Sequence, residues 1–481
     1  MSTKARSRLC CGLVIGVVVL LVSVEVSAVP TFARRYATSC ATCHEAYPRL
    51  NAVGDSFRMM GFQFPDDERY RKIQPVELGD EAYKRLWPKA LWPSHIPGRS
   101  PLSLITRFMV EADLNGSRQS STTFLLPEEI ELVWAGNVGD NISFYGDIIF
   151  LQKDFGGRDP ESWATLKGWL QLQSLVGPDN LFNFRVGTVG TQTMGLFTAR
   201  DANIYSTHFY LYTTWFMRPP NLAQAGLSEF QGNNFSIGPQ QGFELNGFGK
   251  HWFYGLGVVN GNLLVPAGDP PPSDISFVGA GRNSDSKDLY ANLVYKIGGR
   301  QFDRSTEKQP DSLSALSSQH WRDDSLKLAL FAYSGTADIE TVDLDGNTWE
   351  GEDDFWRLGI GLQHDIRDFS WSAQYTAGNN DQPYGNLSDQ PVDSTTWHLE
   401  ALGFAYPWLM LYGRYEALEL DLPPDVPGLP PVQDIEKIIA GAKFMIRPNV
   451  SCNVEGTYYT KGAELEAGLD QTLYILLSIS F

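Results

Sequence analysis

Leu104-Ile105-Thr106-Arg107-Phe108-Met109-Val110-Glu111-Ala112-Asp113-Leu114 alternates along its whole length. Leu104, Thr106, Phe108, Val110, Ala112 and Leu114 fall on one side and are mostly apolar. Ile105, Arg107, Met109, Glu111 and Asp113 fall on the other, which carries the charge. A period of two belongs to an extended strand, because a helix would group its apolar residues every third or fourth position. The next stretches repeat the pattern. Ile130, Leu132 and Trp134 alternate with Glu129 and Glu131; a Gly-Asn-Val-Gly-Asp-Asn turn follows; then Ile142, Phe144, Ile148 and Phe150 alternate with Ser143, Tyr145 and Asp147. Farther on, Leu289, Ala291, Leu293, Tyr295 and Ile297 flank Asn292 and Lys296. Trp356, Leu358, Ile360 and Leu362 flank Arg357 and Gln363, and Trp371, Ala373 and Tyr375 flank Ser372 and Gln374.

Roughly 16 such segments of about ten residues follow Pro101, the length that crosses an apolar band at a tilt. Their connections alternate between short turns and long acidic or proline-rich loops, such as Pro270 to Pro272, Asp343 to Asp354 and Asp421 to Pro431. A soluble β-sandwich also alternates. The number of strands, the aromatic residues crowding the apolar face, and the ending Leu473, Ile475, Leu477, Ile479, Phe481 favour a membrane barrel. No later stretch reaches the ~20 apolar residues of a transmembrane helix, so any span is built from strands.

The first 28 residues read as a signal peptide. Lys4, Arg6 and Arg8 precede an apolar run from Leu9 to Val22, and Val26-Ser27-Ala28 is a small-residue cleavage site. Cys10 and Cys11 would leave with it. Without those residues, which hold three basic and one acidic side chain, the net charge goes from −18 to −20. Such a balance excludes nucleic-acid binding. Three of the five cysteines then remain, and a structural disulfide is not expected.

Residues 29–100 differ in texture. Cys40-Ala41-Thr42-Cys43-His44 has the spacing at which two thiols on one turn reach the vinyl groups of haem while the next histidine reaches its iron. A zinc site would want a second cysteine or histidine pair nearby, and a redox dithiol a βαβ setting; neither is present. From Tyr47 to Gly61 the chain reads as one helix, with Pro48 in its first turn, a stripe of Leu50, Val53, Phe57 and Met60, and Gly61 at its C-terminus. The sixth iron ligand stays open among Met60, Met59 and His95, and Met60 equally continues the apolar stripe. His208, His251, His320, His364 and His398 read as ordinary polar residues. Arg34 and Arg35 would pair with haem propionates or stay solvated. Asp343-Leu344-Asp345-Gly346-Asn347 is an acidic hairpin tip, its glycine falling too early for a calcium loop. Acidic outer loops would concentrate cations such as ferrous iron. Cys452 reads as an inert small residue. No nucleophile–base pair, phosphate loop or paired catalytic carboxylates stands out, so the chain reads as an electron-transfer protein and not as an enzyme.

The run Pro30-Thr31-Phe32-Ala33-Arg34 before the haem motif, with Leu50-Asn51-Ala52-Val53-Gly54-Asp55-Ser56-Phe57 after it, resembles the fused monohaem c-type cytochrome–porins of the outer membrane, best known from iron-oxidising bacteria. The specific match covers residues 30–61; over residues 101–481 the likeness is architectural. The resemblance implies one covalent haem c on Cys40 and Cys43 with His44 on its iron, in a small α-helical cytochrome domain that plugs or caps a barrel of about 16 strands. It further implies the outer membrane of a Gram-negative bacterium, with periplasmic carriers and an extracellular metal such as ferrous iron as electron partners. A porin whose haem-bearing domain gates transport is the competing reading.

Overall fold

The structure, a computed structural model, describes residues 31–47, 49–77, 95–98, 100–115, 122–153, 161–177, 179–190, 213–214, 235–236, 240–261, 276–277, 286–304, 311, 313, 321–342, 348–424, 426, 432–462 and 471–480. The signal peptide, Pro48, His208, His320, Pro270 to Pro272, Asp343 to Asn347 and Phe481 lie outside the described residues.

Sixteen strands close into one antiparallel barrel. In chain order they are β1 Leu102–Asp113, β2 Thr122–Val138, β3 Ile142–Lys153, β4 Glu161–Leu172, β5 Asn183–Val189, β6 Gln240–Phe248, β7 Trp252–Val259 and β8 Asp288–Gly298. They continue with β9 Ser325–Val342, β10 Thr348–Ile366, β11 Phe369–Asn380, β12 Val392–Tyr406, β13 Leu409–Asp421, β14 Val432–Arg447, β15 Val450–Lys461 and β16 Gln471–Ser480. Each pairs with its chain neighbours, and β16 returns to β1 from Thr472 opposite Asp113 to Ser480 opposite Ile105. A two-residue stretch, Ser276–Phe277, adds a parallel contact to β4 and takes no place in the round.

The expected faces are the observed ones. Leu293, Leu330, Leu358, Ile360, Leu399 and Leu411 are exposed on the outside, while Glu131, Asp147, Glu244, Arg357, Arg414 and Glu416 are buried on the inside. Water is absent from a bilayer core, so a spanning sheet must pair every backbone group and turn its apolar side chains outward. Aromatics mark both rims of the outer face. Tyr406 stacks on Trp408 at 5.4 Å beside the 407–408 turn, and Trp397 lies tilted on Tyr375 at 4.5 Å farther up. Cys452 lies between Ser451 and Asn453, whose side chains are buried; it faces outward, opposite Phe444 and Leu477.

Short turns at 139–141, 249–251, 367–368, 407–408 and 448–449 gather at one end of the cylinder. The connection between β8 and β9 departs from that pattern. It is long, and its described residues 299–304 lie at the same end and send Phe302 inward.

The N-terminal segment sits inside the lumen at the short-turn end. Its helices are short: α1 Thr31–Tyr36, α2 Ala52–Met59 and α3 Asp67–Tyr70. The helix expected from Tyr47 begins five residues later, because Asn51 caps it and residues 44–50 instead form a small antiparallel hairpin with His44 opposite Leu50. Gly61 ends the turn as expected, with φ of +67°. In place of a helical domain with its own interior, the segment shares its core with the barrel. Tyr36, Val53, Phe57, Phe62, Phe64 and Tyr70 cluster with Ala135 of β2 and Trp169 of β4.

The outward face carries the energetic weight in lipid. Replacing Leu358 with arginine is expected to cost about 2–4 kcal/mol of folding free energy in phospholipid vesicles, read by urea titration. Replacing the inward Ser372 with alanine is expected to cost well under half of that in the same assay.

Candidate haem-attachment site

Ser39 opens the motif. Its side chain accepts from the Ala41 amide at 3.0 Å and caps a single 3₁₀ turn, Cys40–Thr42, which the Cys43 amide closes on the Cys40 carbonyl at 3.1 Å. One turn thus carries both thiols, and the chain extends straight from it into His44. Thr42 is fully buried, its hydroxyl 2.6 Å from that of Thr38.

Asn51 holds this turn onto α2. Its Oδ1 accepts from the Gly54 amide at 2.9 Å, while its Nδ2 donates to the carbonyls of Thr42 at 3.1 Å and Ala41 at 3.4 Å. Its own amide donates to the Cys43 carbonyl at 3.0 Å. Gly54 is needed for the same packing, since a Cβ there would stand 2.1 Å from the Cys43 carbonyl oxygen. The Leu-Asn-x-x-Gly stretch is therefore the local support of the cysteine turn.

Cys40 and Cys43 are free and half-buried. Burial pushes their thiols up, to about 11 and about 12, so both stay protonated near neutral pH. Cys43 lies against the Tyr36–Phe57–Phe62 cluster, and the His44 ring meets Tyr47 edge-on at 5.0 Å. Burial also raises the Glu45 carboxyl, to about 7, against the pull of Arg49. Two thiols on one turn, an adjoining imidazole and an apolar aromatic bed are a donor set and setting that fit a covalent c-type haem.

The other expected site residues land as follows. Met59 and Met60 pack on the lumen wall against Phe248, Phe253, Val294, Phe302 and Ala329, and the Met60 sulfur lies 3.7 Å from the Ser56 hydroxyl oxygen. The apolar-stripe alternative for Met60 therefore has a partner surface. The His95 backbone pairs with Glu77. Arg34 donates to the Leu102 carbonyl, and Arg35 reaches Asn137 and, at 3.4 Å, Asp67. Both arginines line a cleft of 360 Å³ whose walls include none of Cys40, Cys43 and His44. His398 is buried on the inner wall of β12, and His364 lies edge-on to Trp371 at 6.1 Å.

Sequence reasoning missed the barrel residues that grip the segment. Arg49 donates to Glu45 at 3.0 Å and to Glu400 of β12 at 2.8 Å. Glu400 also takes Arg414 of β13, at 2.9 and 3.1 Å. Arg414 reaches Glu416 at 3.3 Å, and Lys437 of β14 reaches the same carboxylate at 3.1 Å. Lys443 donates to the Tyr47 carbonyl, Ser56 to the Phe302 carbonyl at 2.5 Å, and Lys327 stands 3.5 Å from Asp55. Arg49 and Glu400 stand 351 positions apart in the chain, so no local pattern in the sequence pairs them.

No family model and no curated protein matches the chain. Among solved structures, the chain is similar in fold to a loop-deletion mutant of OmpT, an outer membrane protein of Vibrio cholerae, at 13% identity and a TM-score of 0.44, covering 80% of this chain and 99% of that one. It is likewise similar to Salmonella typhi OmpF in complex with daunomycin, at 12% identity and a TM-score of 0.46, covering 79% and 97%. An anion-selective porin from Comamonas acidovorans follows at 11% identity and a TM-score of 0.41, covering 79% and 98%. Among the described residues the chain is mainly β, sixteen strands in one closed antiparallel barrel.

Asn51→Ala removes the helix cap and both tethers to the cysteine turn. We expect about 1–2 kcal/mol of local destabilisation, read as faster amide hydrogen exchange over residues 41–57 with the barrel strands unchanged.

Proposed function

We propose that this porin-like barrel is an outer-membrane electron conduit, in which Cys40 and Cys43 would carry one haem c and His44 would bind its iron. The observation that carries the reading is a Cys-x-x-Cys-His turn braced by Asn51 and Gly54 inside the lumen of a membrane cylinder. When bound, the haem would supply reversible one-electron chemistry without a proton change at its histidine. The chain's own residues supply the rest. Ser39, Asn51 and Gly54 fix the turn, Phe57 and Phe62 exclude water from one side of it, and the barrel removes the insulating bilayer from the path.

Electrons would pass by outer-sphere transfer between an extracellular donor, such as ferrous iron among the cations that acidic loops would concentrate, and periplasmic carriers at the short-turn end. The resemblance to the fused cytochrome–porins supports the same assignment over residues 30–61. A second reading has support of its own. Sixteen strands around a polar lumen is the build of the porins to which the chain is similar, and a haem-bearing segment seated in the lumen would then gate transport.

Two measurements decide. The purified protein is expected to show covalent haem c absorbance that survives denaturing electrophoresis and is lost in the Cys40→Ala, Cys43→Ala double variant. In planar bilayers it is expected to carry little ion current. Absence of the haem band sinks the conduit, and sustained porin-size conductance of the haem-loaded protein selects the transport reading.

A further inference from the structure

Two contacts from the barrel wall converge on the hairpin that carries His44. Glu400 on β12 binds Arg49 at 2.8 Å, and Lys443 on β14 donates to the carbonyl of Tyr47, whose ring meets the His44 ring at 5.0 Å. Arg49 adjoins Leu50, the backbone partner of His44. Glu400 is the notable group. It is 4% exposed and receives two guanidiniums, Arg49 from the N-terminal segment on Oε1 and Arg414 from the wall on Oε2. Arg414 already has Glu416, at 3.3 Å, as a second carboxylate. Arg49 likewise has Glu45, at 3.0 Å, so Glu400 is the carboxylate that bridges the two guanidiniums and ties the hairpin to the wall.

We propose that Glu400 is a positioning residue for the haem-bearing turn: through Arg49 it locks the His44 hairpin to the wall and sets the net charge beside the iron. This rests on the conduit reading. The physical basis is that charges at short range in a desolvated setting act with little screening, so one wall carboxylate more or less alters the relative stability of the two redox states. With Glu400 neutral, the positive charge of Arg49 is less compensated, and the reduced state, which carries one positive charge fewer, gains.

The test uses the full-length protein in detergent. Glu400→Gln is expected to keep the covalent haem band and to change the oxidised-to-reduced ratio at a fixed electrode potential about tenfold in favour of reduction, an upward shift of about 59 mV for one electron. Arg49→Gln, which leaves the wall intact should the first variant fail to fold, is expected to shift the potential downward, and the double variant to fall between the two. Glu416→Gln, which touches Arg414 but not Arg49, is the control and should move the potential far less. Amide exchange over residues 44–50 should also speed up at least tenfold in Glu400→Gln. Haem-loaded single variants with unmoved potentials, or a Glu416→Gln shift as large as that of Glu400→Gln, overturn the proposal. A haem-free wild-type protein overturns the conduit reading instead, and unchanged exchange over 44–50 then refutes the positioning role separately.

Discussion

Closure of the sheet is the constraint on which the rest depends. In a bilayer there is no water to take up a bare strand edge, so the seam between β16 and β1 is an obligation and not an ornament. Once the seam is made, the phase of every strand is fixed, because a slip of one residue would exchange the lipid face for the lumen face. Burial of acids and bases on the inside, with leucine, isoleucine and aromatics outside, is the consequence.

A closed cylinder creates a second problem, an interior full of charge with few partners. Isolated charges would be costly there, and a buried ion pair repays its desolvation only when its geometry is good and its remaining atoms are hydrogen-bonded. The chain answers with a run of alternating charge from Glu45 through Arg49, Glu400, Arg414 and Glu416 to Lys437. That run spans the N-terminal segment and three strands of wall. The segment is thus held electrostatically on one side, while on another it joins the wall through stacked rings, Phe62 lying on Trp169 at 5.7 Å.

Much of the barrel was legible because its signal is local. Period-two alternation, short turns at one end and a C-terminal strand of alternating apolar residues each need only a dozen residues to read, and the strand number followed. The N-terminal segment was harder. The spacing of Leu50, Val53, Phe57 and Met60 suits a helix, but a side chain that can cap competes with helix propagation, and Asn51 stops it from extending back to Tyr47. Its core could not be foreseen, since Trp169 and Ala135 belong to strands whose sequence gives no hint of what they face. The cysteine turn shows a mixture. Its chemistry was readable from five residues, whereas its bracing became intelligible only when the Cys43 carbonyl was found against Gly54.

The shared core has a consequence for biogenesis. A segment whose hydrophobic interior is completed by β2 and β4 cannot bury its aromatic side chains until those strands are in place. Cys43, which packs against that cluster, is accordingly more open to a bulky group before the strands assemble than after.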